Sequence, residues 1–322
     1  MTLDMFACGE DSAKLTVLSM GLGQDSTALL YKYIYDDDFK KRYAPNDFLV
    51  IFSDTGNEFP QTYEHLESIK TFCETHDIEF VHLIPEMGYH TGDWQSLEHF
   101  YEVKEAVGSK AFPKICSQRL KIEPIYRYLE DYLGQKYGVK VGKKKGFRQF
   151  AVEFGKVQMM IGIAKNEEKR MSVAADRKER WYRESIEHIY PLVDMKMDRK
   201  GCQTYIKSVG HKIPIPSNCM MCPFLSEEEL EYLRRFEPKA LENWIYYEKR
   251  KLNRWSHLEA VPVNKGTDEE PRIVYVNKNL GVWGKRRLPE MVSIVQEKFK
   301  NWTDDMIIDY RMSHGHCVAS AY

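Results

Sequence analysis

No stretch of this 322-residue sequence has the roughly 20 consecutive apolar residues that a helical membrane span requires; its longest apolar runs resemble Phe48 to Phe52. No membrane association is expected. An excess of one charge is also lacking: 47 Lys and Arg against 48 Asp and Glu leave a formal charge of −1. That balance argues against a globally basic nucleic-acid binder, because phosphate affinity comes mainly from cations that neutralise the backbone. A local basic patch is still compatible with it. Met1 to Ser12 has neither a basic start nor an apolar stretch and carries Asp4, Glu10 and Asp11, so it does not read as a secretory signal. The cytoplasm is the expected compartment. Internal repeats and low-complexity tracts are absent. Cysteines number seven. In a reducing compartment they read as metal ligands, reactive thiols or buried apolar residues rather than as disulfides, and their odd number agrees.

With 43% hydrophobic and 30% charged residues, the chain has the composition of a folded protein. Its length accommodates one α/β domain of roughly 200 to 250 residues plus an appended subdomain. Leu15 to Met20 reads as a buried strand ending at glycines, and Ala28 to Ile34 has helical spacing. Phe48 to Ser53 is a second strand. Pro60 then opens a helix on which Tyr63, Leu66, Ile69 and Cys73 keep the period. Ile78 to Ile84 is a third strand, so the chain opens β-α-β-α-β. The expected fold is α/β, a doubly wound, mostly parallel sheet with helices on both faces. Further on, Glu86 to Lys114 reads as an excursion over the active-site mouth, Ile122 to Leu133 as a helix, and Gln158 to Ala164 as a return to the sheet. Lys136 to Arg148 reads as a mobile basic loop. From Ser226 to about Arg254 the periodicity is helical, which suggests a cysteine-containing, mainly helical C-terminal subdomain; the expected division is 1–225 and 226–322.

Three segments follow strands and are candidates for ligand binding. Ser19-Met20-Gly21-Leu22-Gly23-Gln24-Asp25-Ser26-Thr27 lies between the first strand and the first helix, where main-chain N–H groups and the helix dipole can hold a phosphate. It lacks the Gly-Lys-Ser/Thr end of a Walker loop and the full G-x-G-x-x-G fingerprint. Alone, it is also what a plain strand-to-helix turn looks like. Asp54-Thr55-Gly56-Asn57-Glu58-Phe59-Pro60 ends the second strand, and Ile161-Gly162-Ile163-Ala164-Lys165-Asn166-Glu167-Glu168-Lys169-Arg170 follows a later one. Cys219-Met220-Met221-Cys222-Pro223 places two thiols on a tight turn, a spacing shared by zinc sites, iron-sulfur sites and redox dithiols.

The first segment resembles the Ser-Gly-Gly-x-Asp-Ser loop of the ATP pyrophosphatase superfamily, with Gln24 where many relatives carry Lys. The second is similar to the Asp-Thr-Gly motif of its sulfonucleotide-reductase branch, and the third to that branch's phosphate-contacting stretch, with Ala164 in place of an arginine. Cys116-Ser117-Gln118-Arg119-Leu120-Lys121-Ile122-Glu123-Pro124 resembles an element of the DNA-phosphorothioation ATP pyrophosphatases, as do the surroundings of Cys202. The resemblance runs from about Lys14 to about Phe224. It implies that Ser19, Gly21, Gly23, Gln24, Asp25, Ser26, Thr27, Asp54, Thr55, Gly56 and Gly162 bind ATP. Asp25 would orient the loop or a magnesium ion (Mg2+), and Arg119, Lys121 and Arg170 would stabilise charge on the transferring group. Cys116, Cys202, Cys219 and Cys222 would hold a 4Fe-4S cluster, with zinc as the alternative.

The implied activity is that of an ATP pyrophosphatase. A substrate oxygen attacks the α-phosphate, pyrophosphate leaves, and sulfur replaces the adenylated oxygen, with a cysteine desulfurase and other sulfur-modification proteins as partners. A sulfonucleotide reductase using Cys317, within His314-Gly315-His316-Cys317, is one alternative. Another is a non-catalytic nucleotide- or DNA-binding module of an antiviral defence complex, contacting DNA through the Lys140–Arg148 loop.

Overall fold

A computed structural model describes residues 13–267 and 269–314. Gly315, His316 and Cys317 therefore lie outside the described residues. The chain begins β1 (Leu15–Met20), α1 (Gln24–Tyr35), α2 (Asp37–Tyr43), β2 (Asp47–Ser53), α3 (Pro60–Thr75) and β3 (Glu79–Leu83). After α4 (Leu97–Lys104) come a π-helical turn at Gln118–Ile122, α5 (Glu123–Tyr137), α6 (Lys145–Phe154) and β4 (Val157–Ile161). Then follow α7 (Arg180–Ser185), β5 (Ile186–Ile189), α8 (Pro191–Asp194) and α9 (Arg199–Ser208). The last part holds α10 (Glu227–Phe236), α11 (Pro238–Arg254), strands β6 (Val261–Asn264) and β7 (Ile273–Val276), α12 (Leu288–Lys298) and α13 (Asp304–His314).

Five strands pair in the order β3-β2-β1-β4-β5, all parallel. The chain winds outward from β1 in one direction and from β4 in the other, so a crevice opens at their C-terminal ends, where such a sheet binds ligands. Period-two alternation sorts the strand side chains between two faces. Leu18, Val50, Phe52 and Met160 pack with α1, α2, α3 and α9. Leu15, Val17, Leu49, Ile51 and Met159 pack with α5, α6 and α7. Both faces are covered, which is why the strands read as continuous apolar runs. A third core gathers Phe59, Trp94, Tyr101 and Leu120 with Leu230, Trp244, Met291 and Val295, so residues from both sides of position 225 share it. Among the described residues, no helix is long and apolar enough to cross a membrane.

One expectation changes. The Lys136–Arg148 segment is not one loop: α5 runs to Tyr137 and α6 begins at Lys145. Its middle is tied down, with Glu130 Oε1 accepting from the N–H groups of Gly142 and Lys144. The helical periodicity from Ser226 to Arg254 is divided between α10 and α11 at Glu237–Pro238, since proline cannot continue the preceding hydrogen-bond ladder.

Candidate active site

The crevice holds a cavity of about 110 Å3 bounded by the phosphate loop, the end of β4, the π-helical turn and the cysteine turn. Gly23 caps α1 and brings no side-chain acceptor, so the first-turn N–H groups are left for a ligand. Ser26 Oγ accepts from Gly21 N at 3.2 Å and holds the loop in shape. Gly162 permits the closest approach: a Cβ there would lie 2.9 Å from Ser26 N and 3.2 Å from Asp25 C. It sets the spacing between β4 and the start of α1.

Asp25 borders this cavity, with Oδ1 buried and unpaired and Oδ2 3.7 Å from Arg199 Nη2. Burial pushes its carboxyl above the usual range, against the pull of Arg199. Arg199 also meets Glu167 at 2.7 Å, and Glu167 in turn pairs with Arg170. Two guanidinium groups thus stand beside a site where phosphate charge would be held.

Opposite the loop, Thr55 donates to Glu58 Oε1 at 3.0 Å and lies 3.2 Å from Cys219 Sγ. Lys121 Nζ reaches the same Glu58 oxygen at 3.3 Å. Glu58 is fully buried and its Oε2 has no partner. Backbone contacts stitch the motifs together: Glu58 bridges Cys219, and Met220 N donates to Asn57 O at 2.8 Å. Asn218, next to Cys219, accepts from Arg311 Nη2 and donates to Glu229 Oε1, each at 3.2 Å. Arg311 is buried with its guanidinium 3.5 Å from the Phe59 ring centre and 4.2 Å from that of Tyr232. The last helices therefore clamp the cysteine turn against the second motif.

Of the residues expected at the site, Ser19, Gly21, Gly23, Gln24, Asp25, Ser26, Thr55, Cys116, Lys121, Gly162, Arg170, Cys219 and Cys222 line the cavity. Others do not. Thr27 is buried beneath the loop against His65 Nε2 at 3.0 Å. Asp54 turns back on its own segment, accepting from Gly56 N and Tyr63 Oη at 2.8 and 2.9 Å and meeting His82 at 3.2 Å. Burial alone would raise its pKa, but these bonds outweigh it and hold the carboxyl below the usual range. Gly56 adopts φ +67°, and a Cβ there would meet Ser96 at 2.5 Å. Asp54 and Gly56 shape the turn that presents Thr55. Arg119 points to solvent and forks onto Glu123 at 3.0 Å. Gln24 lines the cavity wall, but its amide donates to Pro214 O and Met312 O, so it does not replace the missing lysine.

Cys202 is the clearest correction. It sits on α9 in the core that packs against α1, beside Asp25, whereas Cys116, Cys219 and Cys222 share the third core and the cavity. Three thiols in a largely apolar wall are a donor set suited to soft metal chemistry. Among the described residues, however, no three His, Cys, Asp or Glu side chains are drawn together as a metal-holding group. Arg199, Lys114 and Ser217 are cavity residues that the sequence reading did not single out. The cation beside Asp25 is visible only once α9 has packed on α1.

Residues 15–214 match the phosphoadenosine phosphosulfate reductase domain, and the chain belongs to that family. No curated protein matches it. Among solved structures it is similar to the U34-tRNA thiolase NcsA from Methanococcus maripaludis with its 4Fe-4S cluster. The two are 16% identical, the match covers 78% of this chain and 75% of the thiolase, and the TM-score is 0.38.

Proposed function

We propose that this protein is an ATP pyrophosphatase that adenylates an oxygen of its acceptor so that sulfur can replace it, with DNA phosphorothioation as the process served. The observation that carries this reading is that the phosphate loop and three cysteine thiols line one cavity. An adenylated intermediate formed there meets a sulfur carrier before bulk water, as ordered two-step chemistry requires. Gly21 to Ser26 hold the pyrophosphate portion of ATP through main-chain N–H groups, and Asp25 positions the loop or Mg2+. The acceptor oxygen attacks the α-phosphate and pyrophosphate departs. Sulfur then attacks the acceptor atom, and AMP leaves with the original oxygen. Arg170, Arg199 and Lys121 offset the negative charge that builds during both steps. A 4Fe-4S cluster, with zinc as the alternative, would be held by Cys116, Cys219 and Cys222 and would supply a sulfur-handling centre. A cysteine desulfurase is the expected sulfur source.

Anaerobically purified protein should release pyrophosphate from ATP and magnesium, Asp25→Ala should abolish the release, and iron and sulfide should co-purify. No release with or without nucleic acid would refute the reading. Reduction of a sulfonucleotide, lost in Cys317→Ala, would replace it with the reductase alternative.

A further inference from the structure

A second cavity, of about 120 Å3, lies beside the first, and the chemistry above makes no use of it. It is bounded by the π-helical turn, the start of α5, Lys144 and the segment from Arg177 to Tyr182. Its lining combines cations with aromatic rings: Arg127, Lys144 and Arg177 with Tyr126, Trp181 and Tyr182. Two carboxylates, Glu123 and Glu179, also face it. Glu123 is already matched by Arg119 at 3.0 Å and Arg127 at 4.0 Å, and Lys144 by Glu130 at 3.1 Å. Arg177 differs. Its guanidinium lies 5.1 Å from the Tyr182 ring centre, its Nε is buried without a partner, and it joins no ion pair among the described residues. Lys140, Lys143, Lys145 and Lys178 are exposed close by in the chain, and none of them forms an ion pair among the described residues.

The two cavities meet the same π-helical turn. Ser117 and Lys121 face the nucleotide cavity, while Gln118 and Ile122, on the same turn, face the second. A small cleft shares Ser19 and Lys121 with the first cavity and Ile122, Tyr126 and Tyr182 with the second. The wider π-helical turn aims neighbouring side chains into two spaces, a geometry common at functional sites. From Gly162, which lines the first cavity, the chain runs through Arg170 to Arg177 at the second.

We propose that the second cavity receives one unstacked base of a single-stranded nucleic acid against Trp181, with Arg177 and the lysine rim holding the adjoining phosphates. The neighbouring backbone is thereby presented to the nucleotide cavity. Base stacking on an aromatic ring with cations along the backbone is how single strands are bound without a sequence code. A stacked duplex cannot enter a space that fits one base, so a duplex must first give up that base. This inference rests on the reading above that the acceptor is a nucleic acid, and it names the strand form and the residues that hold it.

The test is fluorescence anisotropy of labelled mixed-sequence oligonucleotides, as single-stranded RNA, single-stranded DNA and duplex DNA, titrated with full-length protein in rising KCl. Arg177→Glu and the pair Lys143→Glu with Lys145→Glu should each weaken single-strand binding about tenfold or more and flatten its salt dependence. Trp181→Leu should weaken it roughly 5- to 150-fold, and Trp181→Phe, which keeps a ring, should retain most of it. Thermal unfolding shows that each variant is folded. Tighter binding of RNA or of DNA identifies the natural strand, and either supports the site. Equal binding by all variants, a preference for duplex, or no binding by wild type overturns it. Pyrophosphate release with and without nucleic acid, measured on the same samples, separates the two readings. Strand binding without release sinks the ATP chemistry and leaves the site standing, whereas release without strand binding does the reverse.

Discussion

Replacing Gly162 by alanine adds one methyl group, and the structure fixes what it meets. The new Cβ would lie 2.9 Å from Ser26 N and 3.2 Å from both Asp25 C and Ser26 Cα. All three are backbone atoms at the start of α1, so no side chain can swing aside and the strand end or the helix start must move. Overpacking of this kind costs ~1–3 kcal/mol, which at ~2–4 °C per kcal/mol lowers the melting temperature by roughly 2–12 °C. The displaced atoms include the N–H groups assigned to pyrophosphate, and a misplacement near 1 Å can cost about 100-fold in rate. Gly92→Ala is the matched control: its Cβ would meet nothing within 4 Å, so its stability should change by less than ~0.5 kcal/mol. Differential scanning fluorimetry with and without ATP, alongside pyrophosphate release, reads both effects. If Gly162→Ala melted and turned over like Gly92→Ala, the account of β4 spacing the phosphate loop would be wrong.

Asp25→Asn should melt above wild type at neutral pH while losing pyrophosphate release. The raised folded pKa means that ionised Asp25 costs stability as pH rises above its unfolded value, so the gain should vanish towards pH ~4. Glu167 keeps Arg199 paired in that variant. Asp54→Asn should act in the opposite sense: its depressed pKa contributes stability above the unfolded value that is lost as pH falls through the folded one, so acid melting curves of the variant should be flatter than those of wild type. Arg311→Ala removes a guanidinium packed between Phe59 and Tyr232 and should cost ~2–5 kcal/mol by chemical denaturation. Cys219→Ala should lower co-purifying iron, whereas Cys202→Ala should leave it unchanged; equal loss in both would restore the four-cysteine assignment.

Much of the fold was legible in the sequence. The buried strands read as short apolar runs because parallel strands covered on both faces have no polar side, and Pro60 marked the start of α3 because its ring suits the first helical turn. The phosphate loop was legible for the same local reason. What spacing could not convey was direction. Cys202 counts as a fourth thiol along the chain, yet α9 turns it towards Asp25, away from the cavity of the other three. Asp54 lies in a nucleotide motif, but its carboxylate is consumed by Tyr63, Gly56 and His82. The pairing of Glu58 with Lys121 spans 63 residues, and no local pattern announces such a contact.

Gln24 and Gln203 both hydrogen-bond the main-chain oxygen of Met312. A contact between residue 24 and residue 312 spans 288 positions, so the loop that follows β1 is completed by α13. N-terminal elements generally fold first, and here β1, β2 and their helices can pack long before α13 exists. Until α13 is made, the chain lacks the contact that finishes the β1–α1 loop. Removing α13 would take away that contact together with Arg311, and so should loosen the loop and lower stability at once.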